Sequence, residues 1–236
     1  MNLILIIILL FIFIYIFSLL SESFIIQSLY TSNIICYFHI CQKGNWQKSF
    51  DMSMDCIKRH GLYEHTKEIR VGIVNDNKIL IDDIRFNDSK IKILFVKDSS
   101  EYERPTLLHM KEECYNDPKG TLYYYLHTKG IQHFNTEKEA VAVNWVNQML
   151  YWNIQKWEKA VKILKNYETY GCNYNDNHYS GNFWWSTAEH IKKLPDSIGG
   201  NYRAPEDWIL ENKDNMYCVH NCSSNYVELY PVGFYK

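Results

Sequence analysis

Three short stretches of the 236-residue chain gather side chains that could do chemistry. In His127-Thr128-Lys129-Gly130 an imidazole, a hydroxyl, an ammonium and a glycine fall within four residues. A diphosphate calls for such a set: a cation for its charge, donors for its oxygens, and glycine so that the main chain can approach. A plain polar turn is the other reading of the same residues. Arg203-Ala-Pro-Glu-Asp-Trp208 places Glu206 and Asp207 in the first turn of a helix. Negative charge there is stabilised by the helix dipole, so both could serve as caps. In a cleft, either carboxylate could instead be a general base that takes a proton from a hydroxyl. Arg203 could bind phosphate or pair with Glu206. In His178-Tyr-Ser-Gly-Asn-Phe-Trp-Trp185 a Gly181-Asn182 turn leads into Trp184 and Trp185. The two indoles read either as core or as a flat wall on which sugar rings and bases stack.

Other candidates are weaker. Asp82-Asp83 and Asn175-Asp176 could hold a divalent metal, but both lie in polar stretches that suit solvated loops. Seven cysteines are odd in number and scattered, which argues against a disulfide scaffold. Cys218 and Cys222 flank His220 and could read as a metal half-site, but with no second pair at finger spacing a buried strand or one local disulfide is the better reading. No G-x-x-x-x-G-K-S/T, G-x-G-x-x-G, H-E-x-x-H or G-x-S-x-G pattern occurs. Phosphate-loop ATPases, dinucleotide oxidoreductases, zinc proteases of that type and α/β-hydrolases lose support accordingly. A net charge of −2 argues against a nucleic-acid partner.

The elements that must position these residues alternate along the chain. Apolar, β-branched runs at 33–40, 69–74, 91–96 and 122–126 read as strands. Helical spacing marks 46–60, 104–115 with Pro105 near its first turn, and one long helix over 137–165. Thr136 with Glu139, and Ser186 with Glu189, read as capping boxes. A short helix follows Pro205, and 216–219 and 226–234 close the chain as strands. This βαβ order implies an α/β domain over 33–236, a mostly parallel sheet flanked by helices. Ligands of such sheets bind at the carboxyl ends of the strands, which points to 41–44, 127–130 and the His178 region.

Before the domain, residues 3–20 form an apolar run interrupted only by Ser18. That is close to the ~20 residues of a membrane-spanning helix. Without a basic start or a small-residue cleavage site it reads as an uncleaved anchor (1–20) rather than a signal peptide, joined by a linker (21–32). The first basic residue after the run is Lys43. The charges flanking the run lean toward a single-pass membrane protein with its domain lumenal or extracytoplasmic. The sequons Asn87-Asp-Ser89 and Asn221-Cys-Ser223 are compatible with that compartment.

Taken in order, Tyr-Tyr-Tyr-Leu-His-Thr-Lys-Gly130, Trp145 with Met149, His178–Trp185 and Tyr-Arg-Ala-Pro-Glu-Asp-Trp208 resemble glycosyltransferase-like proteins of microbes and large viruses. That group looks related to the GT-A fold of nucleotide-sugar transferases, and the resemblance spans roughly 33–212. It implies a nucleotide-sugar donor and a glycan, lipid or protein acceptor. It implies that Glu206 or Asp207 is the base of an inverting transfer, and that Gly181 and Asn182 line the donor sugar. His178 and Trp184 or Trp185 would line the sugars, the tryptophans on the acceptor side. His127, Thr128, Lys129, Gly130 and Arg203 would hold the diphosphate. GT-A enzymes carry an Asp-x-Asp metal motif at a strand end. Here the matching position is Leu126-His-Thr-Lys-Gly130, without the acidic pair, so the need for Mn²⁺ or Mg²⁺ is open. Two other functions fit the same residues: a non-catalytic carbohydrate-binding protein, and a metal-dependent hydrolase using His127, His178 and Asp207.

Overall fold

A computed structural model describes residues 10–17 and 33–221 in two separate units, divided after Ser32. In the first unit, residues 10–17 form an exposed helix, α1. Among the described residues no helix is long and apolar enough to cross a membrane. The rest of the apolar run 3–20, the linker to 32, Cys222 and the expected strand at 226–234 lie outside the described residues.

The second unit is an α/β domain. Its strands are β1 (Ile34–Cys41), β2 (Thr66–Asn75), β3 (Ile91–Asp98), β4 (Leu122–His127), β5 (Thr169–Gly171), β6 (Tyr174–Asn175), β7 (His178–Tyr179), β8 (Trp184–Thr187) and β9 (Met216–Cys218). Its helices are α2 (Trp46–Arg59), α3 (Leu62–His65), α4 (Arg104–Glu113), α5 (Glu139–Leu150), α6 (Trp157–Ile163), α7 (Ala188–Ile191) and α8 (Ala204–Trp208). The main sheet runs β3-β2-β1-β4-β8-β5-β9. Only β8 opposes its neighbours, so the expected mostly parallel sheet is observed. β6 and β7 form a small separate hairpin.

Burial on both faces explains the apolar strands. β1 is buried over its first seven residues, and all six residues of β4 are buried. On one face Tyr37, Tyr123, Tyr125 and Trp184 pack with Leu107 and Met110 of α4, Ile191 of α7 and Trp208 of α8. On the other, α2 turns its buried stripe of Trp46, Phe50, Met54 and Ile57 to the sheet, and Phe50 stacks on Phe38 at 5.1 Å.

Two local expectations are corrected. The single helix over 137–165 is three pieces, because a π-helical turn (Tyr151–Gln155) separates α5 from α6. Side-chain donors interrupt its ladder: Tyr170 Oη donates to the Trp152 carbonyl (3.0 Å) and Trp185 Nε1 to the Asn153 carbonyl (2.7 Å). Neither capping box forms as spaced. Thr187, not Ser186, accepts from His190 N and caps α7, since Ser186 is held within β8. Glu139 reaches back to Asn135 N, while Thr136 accepts from Lys138 N.

Candidate functional site

The chain leaves β1 toward β2 and β3 on one side, then returns to place β4 on the other. A sheet whose order reverses in this way leaves a crevice between the carboxyl ends of the two central strands. A cavity of about 540 Å³ lies there. His39 and Cys41 of β1 and His127–Gly130 at the end of β4 contribute to its lining. So do Tyr102 and Glu103 before α4, Ala142 and Trp145 of α5, His178 of β7, and Tyr202, Arg203 and Glu206 around the start of α8. All three loop regions expected from the sequence therefore contribute.

Lys129 and Glu206 face each other across the cavity. Lys129 Nζ lies 3.6 Å from Glu206 Oε1 and 4.4 Å from the centre of the Trp145 ring. The other carboxylate oxygen is 3.8 Å from His178 Nε2. Both separations exceed a hydrogen bond, so the carboxylate can accept one from a ligand. Arg203 Nη2 donates to His178 Nδ1 at 3.0 Å. A guanidinium has no acceptor, so His178 is neutral with its proton on Nε2, directed at Glu206. Burial, the largest influence, lowers its pKa in the same sense; Glu206 opposes and Arg203 reinforces the shift. Arg203 also lies 3.7 Å from Asp207 and 4.0 Å from Asp176. Asp207 itself is 3.7 Å from His178 Nδ1 and is not among the cavity-lining residues. Of the two expected bases, Glu206 faces the cavity.

His39 and His127 are register partners on β1 and β4 and form the floor. Burial pushes each pKa down to about 4. For His127 the Lys129 ammonium adds to that effect. At neutral pH His127 is therefore uncharged, and its Nε2 lies 2.9 Å from the Gly181 carbonyl, to which it donates. Without a ligand, burial leaves His127 uncharged, with its proton donated to the Gly181 carbonyl. Thr128 accepts from Cys41 N (3.0 Å), pinning the turn. Gly130 adopts φ +76, and a Cβ there would meet Ala142 at 3.3 Å, so α5 packs against a position suited to glycine.

The aromatic wall expected at 178–185 is also corrected. Successive side chains of a strand point to opposite faces, so Trp184 stacks on Tyr125 and Trp185 on Tyr124, each at 4.9 Å. They are 1% and 0% exposed, respectively, which makes them core. Asn182 is fully buried as well. A Cβ on Gly181 (φ +90) would lie 2.2 Å from Met149 Sδ, so α5 packs directly on this glycine. The aromatic lining comes instead from Tyr102, Trp145 and Tyr202.

Sequence reasoning missed Glu103. One of its oxygens accepts from Tyr125 Oη (2.7 Å) and Asn182 Nδ2 (2.6 Å), and the other lies 3.6 Å from His127 Nδ1. Asn182 in turn accepts from Trp184 Nε1 at 2.8 Å. One carboxylate thus ties α4, β4 and the 181–184 turn together at the cavity edge. Its signal was Glu103-Arg-Pro105, a carboxylate at a proline-started helix as in Arg203-Ala-Pro-Glu206.

A divalent cation bound with a diphosphate calls for hard oxygen ligands, carboxylates above all. The end of β4 offers His127, Thr128 and the Lys129 ammonium instead. Among the described residues no three His, Cys, Asp or Glu side chains converge on a common point. Asp83 is engaged with Arg85 at 2.9 Å. At this strand end the described residues do not supply the carboxylate pair that such a cation would take. The chain matches no protein-family model, no curated protein and no solved structure.

Proposed function

We propose that the domain is a glycosyltransferase of GT-A-like fold that moves a sugar from a nucleotide-sugar donor to a hydroxyl acceptor. The observation that carries this reading is the pairing of Lys129 with Glu206 in a cavity at the reversal of strand order. Lys129 and Arg203, both lining the cavity, would offset the diphosphate charge that an acidic motif and its metal would otherwise manage. Glu206, with His178 Nε2 3.8 Å away, would accept the proton of the acceptor hydroxyl. The acceptor oxygen then bonds to the anomeric carbon from the face opposite the leaving group. The carbon–oxygen bond to the diphosphate breaks, and its electron pair departs with the nucleoside diphosphate, inverting the centre. The apolar run 3–20 would hold the domain at a membrane. Retention of the full chain in membranes after alkaline washing is the expected result, and recovery in the soluble fraction would refute the anchor.

The test is donor hydrolysis and nucleotide binding across UDP-, GDP- and CMP-sugars, with and without Mn²⁺. Hydrolysis of at least one donor without added metal is expected. Glu206→Gln should slow it about 10²- to 10⁴-fold, the range of a general base, while nucleotide affinity stays within about twofold. Failure of every nucleotide to bind and of every donor to hydrolyse would sink the enzyme reading. The missing acidic pair favours one second reading, a carbohydrate-binding protein without turnover. It predicts sugar binding with no nucleotide binding.

A further inference from the structure

We propose that Tyr102 and Tyr202 form the stacking platform of an acceptor subsite that takes a neutral sugar ring. The inference rests on the sugar-transfer reading of the same cavity. Tyr102 is 45% and Tyr202 71% exposed, although both line the cavity. Single exposed aromatics are ordinary on protein surfaces. These two come from positions one hundred residues apart and meet edge to face, with ring centres 5.4 Å apart and planes at 89°.

Their meeting is built rather than incidental. Tyr102 holds φ +52, a left-handed backbone that a bulky side chain rarely adopts. The Arg104 guanidinium sits 5.6 Å from the centre of its ring. The same guanidinium donates to the carbonyls of Gly199 (2.9 Å) and Asn201 (2.5 Å). One side chain therefore straps the segment carrying Tyr202 to the helix start carrying Tyr102.

The surrounding chemistry selects the occupant. Tyr102 is followed in the chain by Glu103, and Tyr202 stands four residues before Glu206; both carboxylates line the same cavity. Burial raises the Tyr202 hydroxyl pKa, and Glu206 and then Glu103 raise it further, which places that ring in their negative field. Carboxylates repel phosphate and accept hydrogen bonds from hydroxyls, while an exposed aromatic face packs on the C–H face of a sugar ring. A neutral polyol meets both conditions at the two tyrosines, and a diphosphate is left to Lys129 and Arg203 of the same cavity. Glu206, the base of the proposed transfer, lines the same cavity as both tyrosines.

The experiment uses the full chain in mild detergent with three neutral probes: maltotriose, cellotriose and triacetylchitotriose. Saturation-transfer NMR and fluorescence titration measure their binding, and UDP, GDP and CMP are titrated in parallel. At least one trisaccharide should bind. Tyr202→Ala should weaken it about three- to tenfold, the scale of one aromatic contact, and Tyr202→Phe should retain it. Tyr102→Ala should act in the same direction, and nucleotide affinity should hold in all three variants. The proposal is overturned if no trisaccharide binds, if Tyr202→Ala leaves sugar binding unchanged, or if it weakens nucleotide instead, which would make the platform a base site. Failure of the sugar-transfer reading looks different: trisaccharide binds through Tyr202 while no nucleotide binds and no donor is hydrolysed.

Discussion

Two aromatic pairs in this molecule have opposite fates. Trp184 and Trp185 are adjacent in the chain, follow a Gly-Asn turn, and disappear into the core on opposite faces of one strand. Tyr102 and Tyr202 are remote in the chain, unremarkable in sequence, and meet in the open at the cavity. Adjacency on a strand guarantees that two side chains cannot share a face. An aromatic surface for a ligand had to be assembled from turns, where the backbone can aim side chains together.

The difference can be broken experimentally. Trp185→Ala should give the largest effect of any single substitution, a loss of about 3–5 kcal/mol of stability read by denaturant unfolding, because it empties a packed site. A loss under about 1 kcal/mol would mean that Trp185 is not core. Acid should come next. In the unfolded chain His39 and His127 take protons near pH 6.5, and in the folded chain only near pH 4. Between those values the unfolded state binds more protons, so the imidazoles' share of stability is lost as pH falls from about 6.5 to about 4, below which carboxylates with lowered pKa, such as Asp117 and Glu68, continue the loss. At about 1.4 kcal/mol per pKa unit, each imidazole accounts for up to about 3 kcal/mol of that loss. Replacing His127 by Gln should flatten its share of the slope, and an unchanged slope would contradict its dry setting. Lys129→Ala should weaken nucleoside diphosphate binding about ten- to a hundredfold, the worth of a charged hydrogen bond, and spare the nucleoside. Equal losses for both would make Lys129 structural. Smallest of all, Tyr202→Ala should cost about 0.5 kcal/mol of stability or less, in contrast to Trp185.

Much of the frame was legible in the chain. Continuous apolar runs foretold the central strands because β1 and β4 are covered on both faces. The strand-end rule then led to His127–Gly130 and the His178 region. Glu206 over Asp207 was not legible, since both sit in the first turn of α8 and only their surroundings differ. Nor was the neutrality of His127, which depends on burial and on the Gly181 carbonyl arriving from another element. Glu103 looked like any acidic residue before a helix. Its role came from Tyr125 and Asn182, 22 and 79 residues away in the chain.

The sequence by itself determined the layers and the end of the sheet where a ligand would sit, because hydrophobic period and strand order are local and directional properties. It also placed Lys129 at that end. Only the tertiary structure decided which aromatic rings are solvent-facing, which carboxylate meets the ammonium, and which imidazoles stay uncharged. Those outcomes depend on burial and on distances between groups remote in the chain. Both come into being only when the elements pack.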